Sequence, residues 1–264
     1  MLKKLLLLLA LPAVLISCSS KKDDNQTIGD PKALYADAIK FKDQDQYVQA
    51  AEKFEQLERE HPASDFAAQA QIQRAYILYL DDKFEESVVI IDEFVKQYPA
   101  HSAAPYMFYL RGLCYYDRIL DVGRDQELSR KAIKMFNDLI NRFPHSKYAR
   151  DAQLKIDYAV NTLAGKEMDI GRFYLKKLEL IAALNRFKTV VDQYQSSIFI
   201  DEALYRMAEI YYALGDTQQA NKYTAVLGYN YPKSQWYDIA YRIFAENYFE
   251  QEMPWYKKIT NNIW

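Results

Sequence analysis

A small residue followed twelve positions later by a second small residue, with a turn twelve further on, recurs along this chain and restricts its fold more than any other feature. The pairs are Ala38/Ala50, Ala75/Ser87, Gly112/Ala132, Gly171/Ala183 and Ala208/Ala220, and only the third departs from the spacing, by an eight-residue insertion. Turns fall at Pro62, Pro99, Pro144, Gln195 and Pro232. An aromatic or Leu stands three residues after each first member (Phe41, Leu78, Tyr115, Tyr174, Tyr211). A large apolar residue or Thr stands four after each second member (Phe54, Ile91, Phe136, Phe187, Thr224). Small residues at this spacing let two antiparallel helices approach while the larger residue wedges between them. A hairpin of this kind buries its apolar face only against its neighbours, so the pattern predicts a stack, and stacks of hairpins mostly bind.

This is the tetratricopeptide register. The expected fold is all-α, a right-handed tetratricopeptide solenoid of five helix pairs over residues 31–234, closed by a capping helix at 235–250. Seven Gly and eight Pro are few for 264 residues, and four of the prolines sit at the repeat junctions, where a helix must stop. Repeats are placed at about 31–61, 66–98 and 103–143, the third interrupted near 119–127, with Asp30-Pro31 opening the first helix as N-cap and N1 proline. Between Pro144 and Gly171 lie fourteen residues more than at the other junctions, close to four helical turns. One long helix from about Tyr148 to Lys177 accounts for them and keeps the apolar face in direction.

The first residues do not belong to that stack. Lys3 and Lys4 precede an apolar run from Leu5 to Ile16, too short to span a bilayer and right for a secretory leader. It ends in Leu15-Ile16-Ser17-Cys18, which resembles the bacterial lipoprotein signal; the alternative is an ordinary leader with an incidental Cys. On this reading residues 1–17 are a signal peptide, and Cys18 carries an N-acyl and S-diacylglycerol lipid that holds the chain to a membrane. Residues 18–30 are polar and read as a flexible tether, about 40 Å at full extension. Ser19 is not the acidic residue that retains lipoproteins in the inner membrane of enteric bacteria, which points to the outer membrane. The periplasmic face is expected; Asp23-Asp24 after Lys22 leaves surface export open.

Several function classes receive no support from the residues. The net charge of −2 leaves no basic footprint for nucleic acid. Cys114, the only other cysteine, has no partner once Cys18 is lipidated and reads as a small buried residue. His61, His101 and His145 lie at the inter-repeat turns without metal-ligand spacing. Phosphate loops, G-x-S-x-G and H-E-x-x-H are all missing. No metal, cofactor or catalytic residue is therefore expected, and the chain reads as a non-enzyme.

In such a stack the first helix of each pair lines the inner side. Residues three before, one after and four after the first small position face it, and in the first three repeats these include Tyr35, Ile72, Tyr76, Tyr79, Tyr109, Leu113 and Tyr116. In the last two they give Met168, Arg172, Leu175, Tyr205, Glu209 and Tyr212. The first half is aromatic and suits an extended peptide, so Tyr35, Tyr76, Tyr79, Tyr109 and Tyr116 are the candidate substrate groove; packing between repeats is the competing role for each. Arg172, Tyr205, Glu209 and Tyr212 are candidate partner contacts. On the capping helix Trp236, Ile239, Ala240 and Ile243 fall on one stripe, and the tail at 251–264 carries Trp255 and Trp264 beside Lys257-Lys258.

The turns His-Pro-Ala-Ser (61–64), Tyr-Pro-Ala-His-Ser (98–102), Phe-Pro-His-Ser-Lys-Tyr-Ala (143–149) and Tyr-Pro-Lys-Ser (231–234), with the block from Ile170 to Tyr194, resemble the BamD family. These are tetratricopeptide lipoproteins of the β-barrel assembly machinery. The resemblance runs from the lipoprotein signal through all five repeats and the long helix. It implies a non-enzymatic outer-membrane scaffold that binds the periplasmic domains of a BamA-like barrel protein, joins other lipoproteins of that machinery and helps receive unfolded outer-membrane proteins. Two other readings share the leader and the repeats. One is a pilotin-type lipoprotein for a secretin or pilus pore; the other, with little room for ligand loops, is a nutrient-binding outer-membrane lipoprotein.

Overall fold

The computed structural model describes residues 29–119 and 126–245. Among these, all regular structure is helical. The helices pair as α1 (Pro31–Asp43) with α2 (Tyr47–Glu60), α3 (Ala67–Leu80) with α4 (Phe84–Gln97), and α5 (Ala104–Tyr116) with α6 (Glu127–Arg142). Next come α7 (Ala149–Lys176) with α8 (Leu180–Gln193) and α9 (Ile200–Ala213) with α10 (Thr217–Asn230), then α11 (Gln235–Ala240) and a π-helical turn, Tyr241–Ala245. Each helix packs on the one before and the one after, and the first helices of successive repeats also touch, α3 on α5 and α5 on α7. This is a tetratricopeptide solenoid.

Local chemistry explains the boundaries. The Asp30 side chain caps α1 through Lys32 N, with Pro31 at the first helical position. Every second helix ends in the same turn: His61, Tyr98, Phe143, Tyr194 and Tyr231 sit at φ between −126° and −134°. Their carbonyls then accept from the amide three residues on. A proline after four of them favours that extended backbone. Tyr194 adopts it before Gln195, so the sequence-predicted turn forms without a proline.

The paired small residues meet as the register requires. Ala38, Ala75 and Ala208 are fully buried, as are Phe54, Ile91, Phe136 and Phe187 in the wedge positions. A Cβ on Gly112 would lie 2.2 Å from the Phe136 ring, and one on Gly171 2.6 Å from Phe187. Ser87 sits against α3 with its hydroxyl donating to the Ala75 carbonyl at 2.8 Å. Thr224, the polar member of the wedge set, donates to the Ala220 carbonyl at 2.9 Å and so buries no orphan hydroxyl.

The expected long helix is α7, 28 residues and about 42 Å. Its first half packs with Phe136 and Leu139 of α6, through Ile156 and Val160. Its second half packs with Ala183 and Phe187 of α8, through Leu163, Ala164 and Met168. The Asn161 side chain accepts from the Ile198 amide at 2.9 Å, which pins the turn after α8 against the middle of α7. Repeats four and five are thus stepped along α7 by fourteen residues, about 21 Å, relative to repeat three.

The cap corrects one sequence expectation. Ala240 is buried and Trp236 and Ile239 pack inward, but Ile243 is 41% exposed while Phe244 is 3% exposed. The π-helical turn widens the spiral by one residue, so the stripe moves from Ile243 to Phe244. Residues 1–28 with Cys18 and the tether, 120–125 of the interrupting loop, and 246–264 with Trp255 and Trp264 lie outside the described residues.

One half-buried carboxylate makes stability pH-dependent. Arg111 links α4 to α6 through Asp92 (2.7 Å) and Asp138 (3.6 Å). Arg74, at the same repeat position, pairs only with α2, through Glu55 (3.3 Å) and Glu58 (3.2 Å). Burial outweighs the pull of Arg74 and raises the Glu58 carboxyl to about 7. The folded chain therefore holds this proton more tightly than the unfolded chain, whose glutamate titrates near 4.5. Stability from this group falls as pH rises from about 4.5 to about 7 and is level above. Urea unfolding of the parent chain should lose on the order of 1–3 kcal/mol between pH 5 and pH 7.5 relative to Glu58→Gln. Parallel pH profiles for the two chains would contradict the assignment.

Candidate binding face

The first-helix side carries two neighbouring sets of aromatic rings, one on α3 and one spanning α5 and α7, which together make an aromatic band. On α3, Tyr76 and Tyr79 stack with ring centroids 6.4 Å apart, and Tyr79 meets Phe84 edge-on. On α5, Tyr106 and Tyr109 lie 5.7 and 5.1 Å from Tyr148, and Tyr116 stands between Phe136 (6.0 Å) and Tyr158 of α7 (5.7 Å). The Lys155 ammonium lies 4.8 Å from the Tyr116 ring centre and 3.3 Å from Asp151. The Tyr79 hydroxyl donates to Asp117 and the Tyr109 hydroxyl to Asp151. Burial first, and those carboxylates second, push both phenols well above their ordinary range, so they remain neutral donors.

The structure thus gathers four of the five predicted groove tyrosines, Tyr76, Tyr79, Tyr109 and Tyr116. Tyr35 stands apart, its ring 5.4 Å from both Phe54 and Phe66 in the first repeat. All five are half-buried and join neighbouring helices as well as lining the face. The most open members of the band are ones the sequence reading passed over: Leu154 at 61% and Tyr158 at 54% exposure. The signal existed. Thirteen residues after Pro144 comes Asp157, the spacing that leads from Pro62 to Ala75 and from Pro99 to Gly112. Counting three back and one forward from Asp157 gives Leu154 and Tyr158. The missing small residue hid the register: Asp157, half-buried and accepting from Gln153 at 2.9 Å, stands at its place, while α8 packs on the second half of α7.

The second half of the face is ionic. Arg172 donates from Nε to Glu202 and from Nη1 to Asp169, both at 3.0 Å. Glu202 also takes Arg206 Nε at 3.4 Å, and Arg206 reaches Glu209 at 2.9 Å. This chain of charges ties α7 to α9. Tyr205 is 6% exposed and stacks on Trp236 at 5.0 Å, so its ring packs the cap and is not offered to a partner. Tyr212 covers Phe244 at 5.1 Å and keeps 40% exposure. Of the four predicted partner contacts, Arg172 and Glu209 stand in the ionic chain and Tyr212 at its edge.

Elsewhere the polar residues serve the fold. His61 Nε2 lies 2.6 Å from the Gly29 carbonyl, and His101 Nδ1 accepts from the Ala103 amide at 3.0 Å. Cys114 is buried beside Ser87, and burial pushes its thiol up to about 11. Among the described residues no cluster of three or more His, Cys, Asp or Glu is placed to hold a metal ion. No helix there is long and apolar enough to cross a membrane.

Fold and face together define a tetratricopeptide scaffold with an aromatic and an ionic surface. Residues 28–227 match the family described as "YfiO: Outer membrane lipoprotein". The chain is 45% identical over 246 residues to the outer membrane protein assembly factor BamD of Rickettsia prowazekii, covering 93% of this chain and 98% of that one. It is 38% identical over 214 residues to BamD of Caulobacter vibrioides, with 81% and 70% covered. Against BamD of Neisseria meningitidis serogroup A it is 32% identical over 270 residues, with 97% and 98% covered. The chain belongs to the BamD family of outer membrane lipoproteins. Membership sets the barrel-assembly reading above the pilotin and nutrient-capture alternatives.

Proposed function

We propose that this chain is a non-enzymatic scaffold of outer-membrane β-barrel assembly, held at the periplasmic face of the outer membrane by lipid on Cys18. Its aromatic band receives unfolded outer-membrane proteins, and its ionic half, with the loop of repeat three, contacts the periplasmic domains of the large barrel subunit. Other lipoproteins of the machinery join there. The observation that carries the substrate role is the run of tyrosines across α3, α5 and α7 that ends in the open side chains Leu154 and Tyr158. Rings with neutral hydroxyls give apolar area and hydrogen bonding at low entropy cost, which suits the alternating aromatics of a barrel strand.

Two variants test this by fluorescence titration with a peptide from the C-terminal strand of a barrel protein. Leu154→Ser/Tyr158→Ser alters exposed side chains, loses one edge-on contact with Tyr116, and should lower stability by no more than about 1–2 kcal/mol, leaving the chain folded. Its affinity for the peptide should fall at least about tenfold. Tyr79→Ala/Tyr109→Ala/Tyr116→Ala should fall further. Unchanged affinity in both folded variants removes the substrate role.

A further inference from the structure

The hairpin turns contain an internal comparison. Seven residues after the first small position, the backbone enters the left-handed region at Asp45 (φ 57°), Asp82 (57°), Leu178 (61°) and Gly215 (84°). Asp and Gly tolerate that conformation; a leucine is strained there by its Cβ. Leu178 is also 81% exposed, so it gives the fold neither an easy turn nor buried area. Phe173 in the last turn of α7 is 55% exposed and Ile181 in the first turn of α8 is 59% exposed. Between them lie Lys176 and Lys177, both exposed, the Lys177 ammonium 5.8 Å from the Phe173 ring centre. Glu179 is the only carboxylate from Phe173 to Ile181.

We propose that the α7–α8 tip docks on a lipid surface, with Leu178, Phe173 and Ile181 entering the apolar edge of the headgroup layer and Lys176 and Lys177 meeting anionic headgroups. Exposure and charge together favour a bilayer with anionic headgroups over a protein pocket. Exposed apolar side chains stand at a hairpin turn with ammonium groups between them in the sequence, the pattern that binds an interface by area and charge together. This does not depend on the assembly role proposed above, because the site consists of the tip alone.

The test is flotation of the full mature chain, Ser19 to Trp264, made without acylation, with vesicles of phosphatidylethanolamine and phosphatidylglycerol. The parent chain should float with them. Leu178→Asp installs the residue that two other turns already use, so the fold is kept, which circular dichroism checks, and binding should weaken at least about tenfold. Lys176→Glu/Lys177→Glu should weaken binding to these vesicles and leave binding to pure phosphatidylcholine unchanged. A parent chain that does not float overturns the proposal, as does Leu178→Asp floating equally well, which would assign binding to another segment. If the parent does not float and Leu178→Asp instead loses a co-purifying polypeptide, the tip is a protein contact and the lipid assignment fails.

Discussion

Phe136→Ala is expected to lower stability by about 3–5 kcal/mol, measured by urea unfolding followed by circular dichroism. Phe136 is fully buried, and its ring fills the space in which a Gly112 side chain would stand. The opposite wall is backbone and cannot relax into a void, so the cavity term adds in full to the lost transfer energy. The ring also supports Tyr109 at 5.9 Å and Tyr116 at 6.0 Å, so the aromatic face should loosen with it. In a stack of repeats the loss can appear as an early transition of repeat three. A loss under about 1 kcal/mol would mean that the wedge does not hold the hairpin together.

Glu202→Leu should cost about 2–4 kcal/mol for a different reason. The Glu202 side chain is 11% exposed and accepts from Arg172 on α7 and Arg206 on its own helix. Removing it leaves two guanidinium groups facing each other with one carboxylate fewer; Arg172, a third exposed and still paired with Asp169, moderates the loss. The link joins repeats four and five, so a double-mutant cycle with Arg172→Ala should show coupling of about 1–3 kcal/mol. Additive effects would show that the ion pair is not what couples α7 to α9.

Much of this was legible because repeats state their geometry redundantly. Five small pairs, five wedge residues and five turns agreed, and even Gln195 took the place of a proline. The length of α7 followed from counting whole turns. What escaped was the consequence of that count: once α8 is stepped along α7, the first half of α7 behaves as an extra first helix, and Leu154 and Tyr158 become the open end of the aromatic band. The π-helical turn that exchanges Ile243 for Phe244 also escaped, since a one-residue widening has no composition signal. Tyr205 could not be placed by register alone, because its partner, Trp236, comes from outside the repeats.

The 28-residue span of α7 has a mechanical result. One uninterrupted rod enters both halves of the molecule, with no loop between them at which rotation could be absorbed. Were one polypeptide held near Tyr148 and another near Arg172, as proposed above, the two would keep a fixed bearing to one another along that rod.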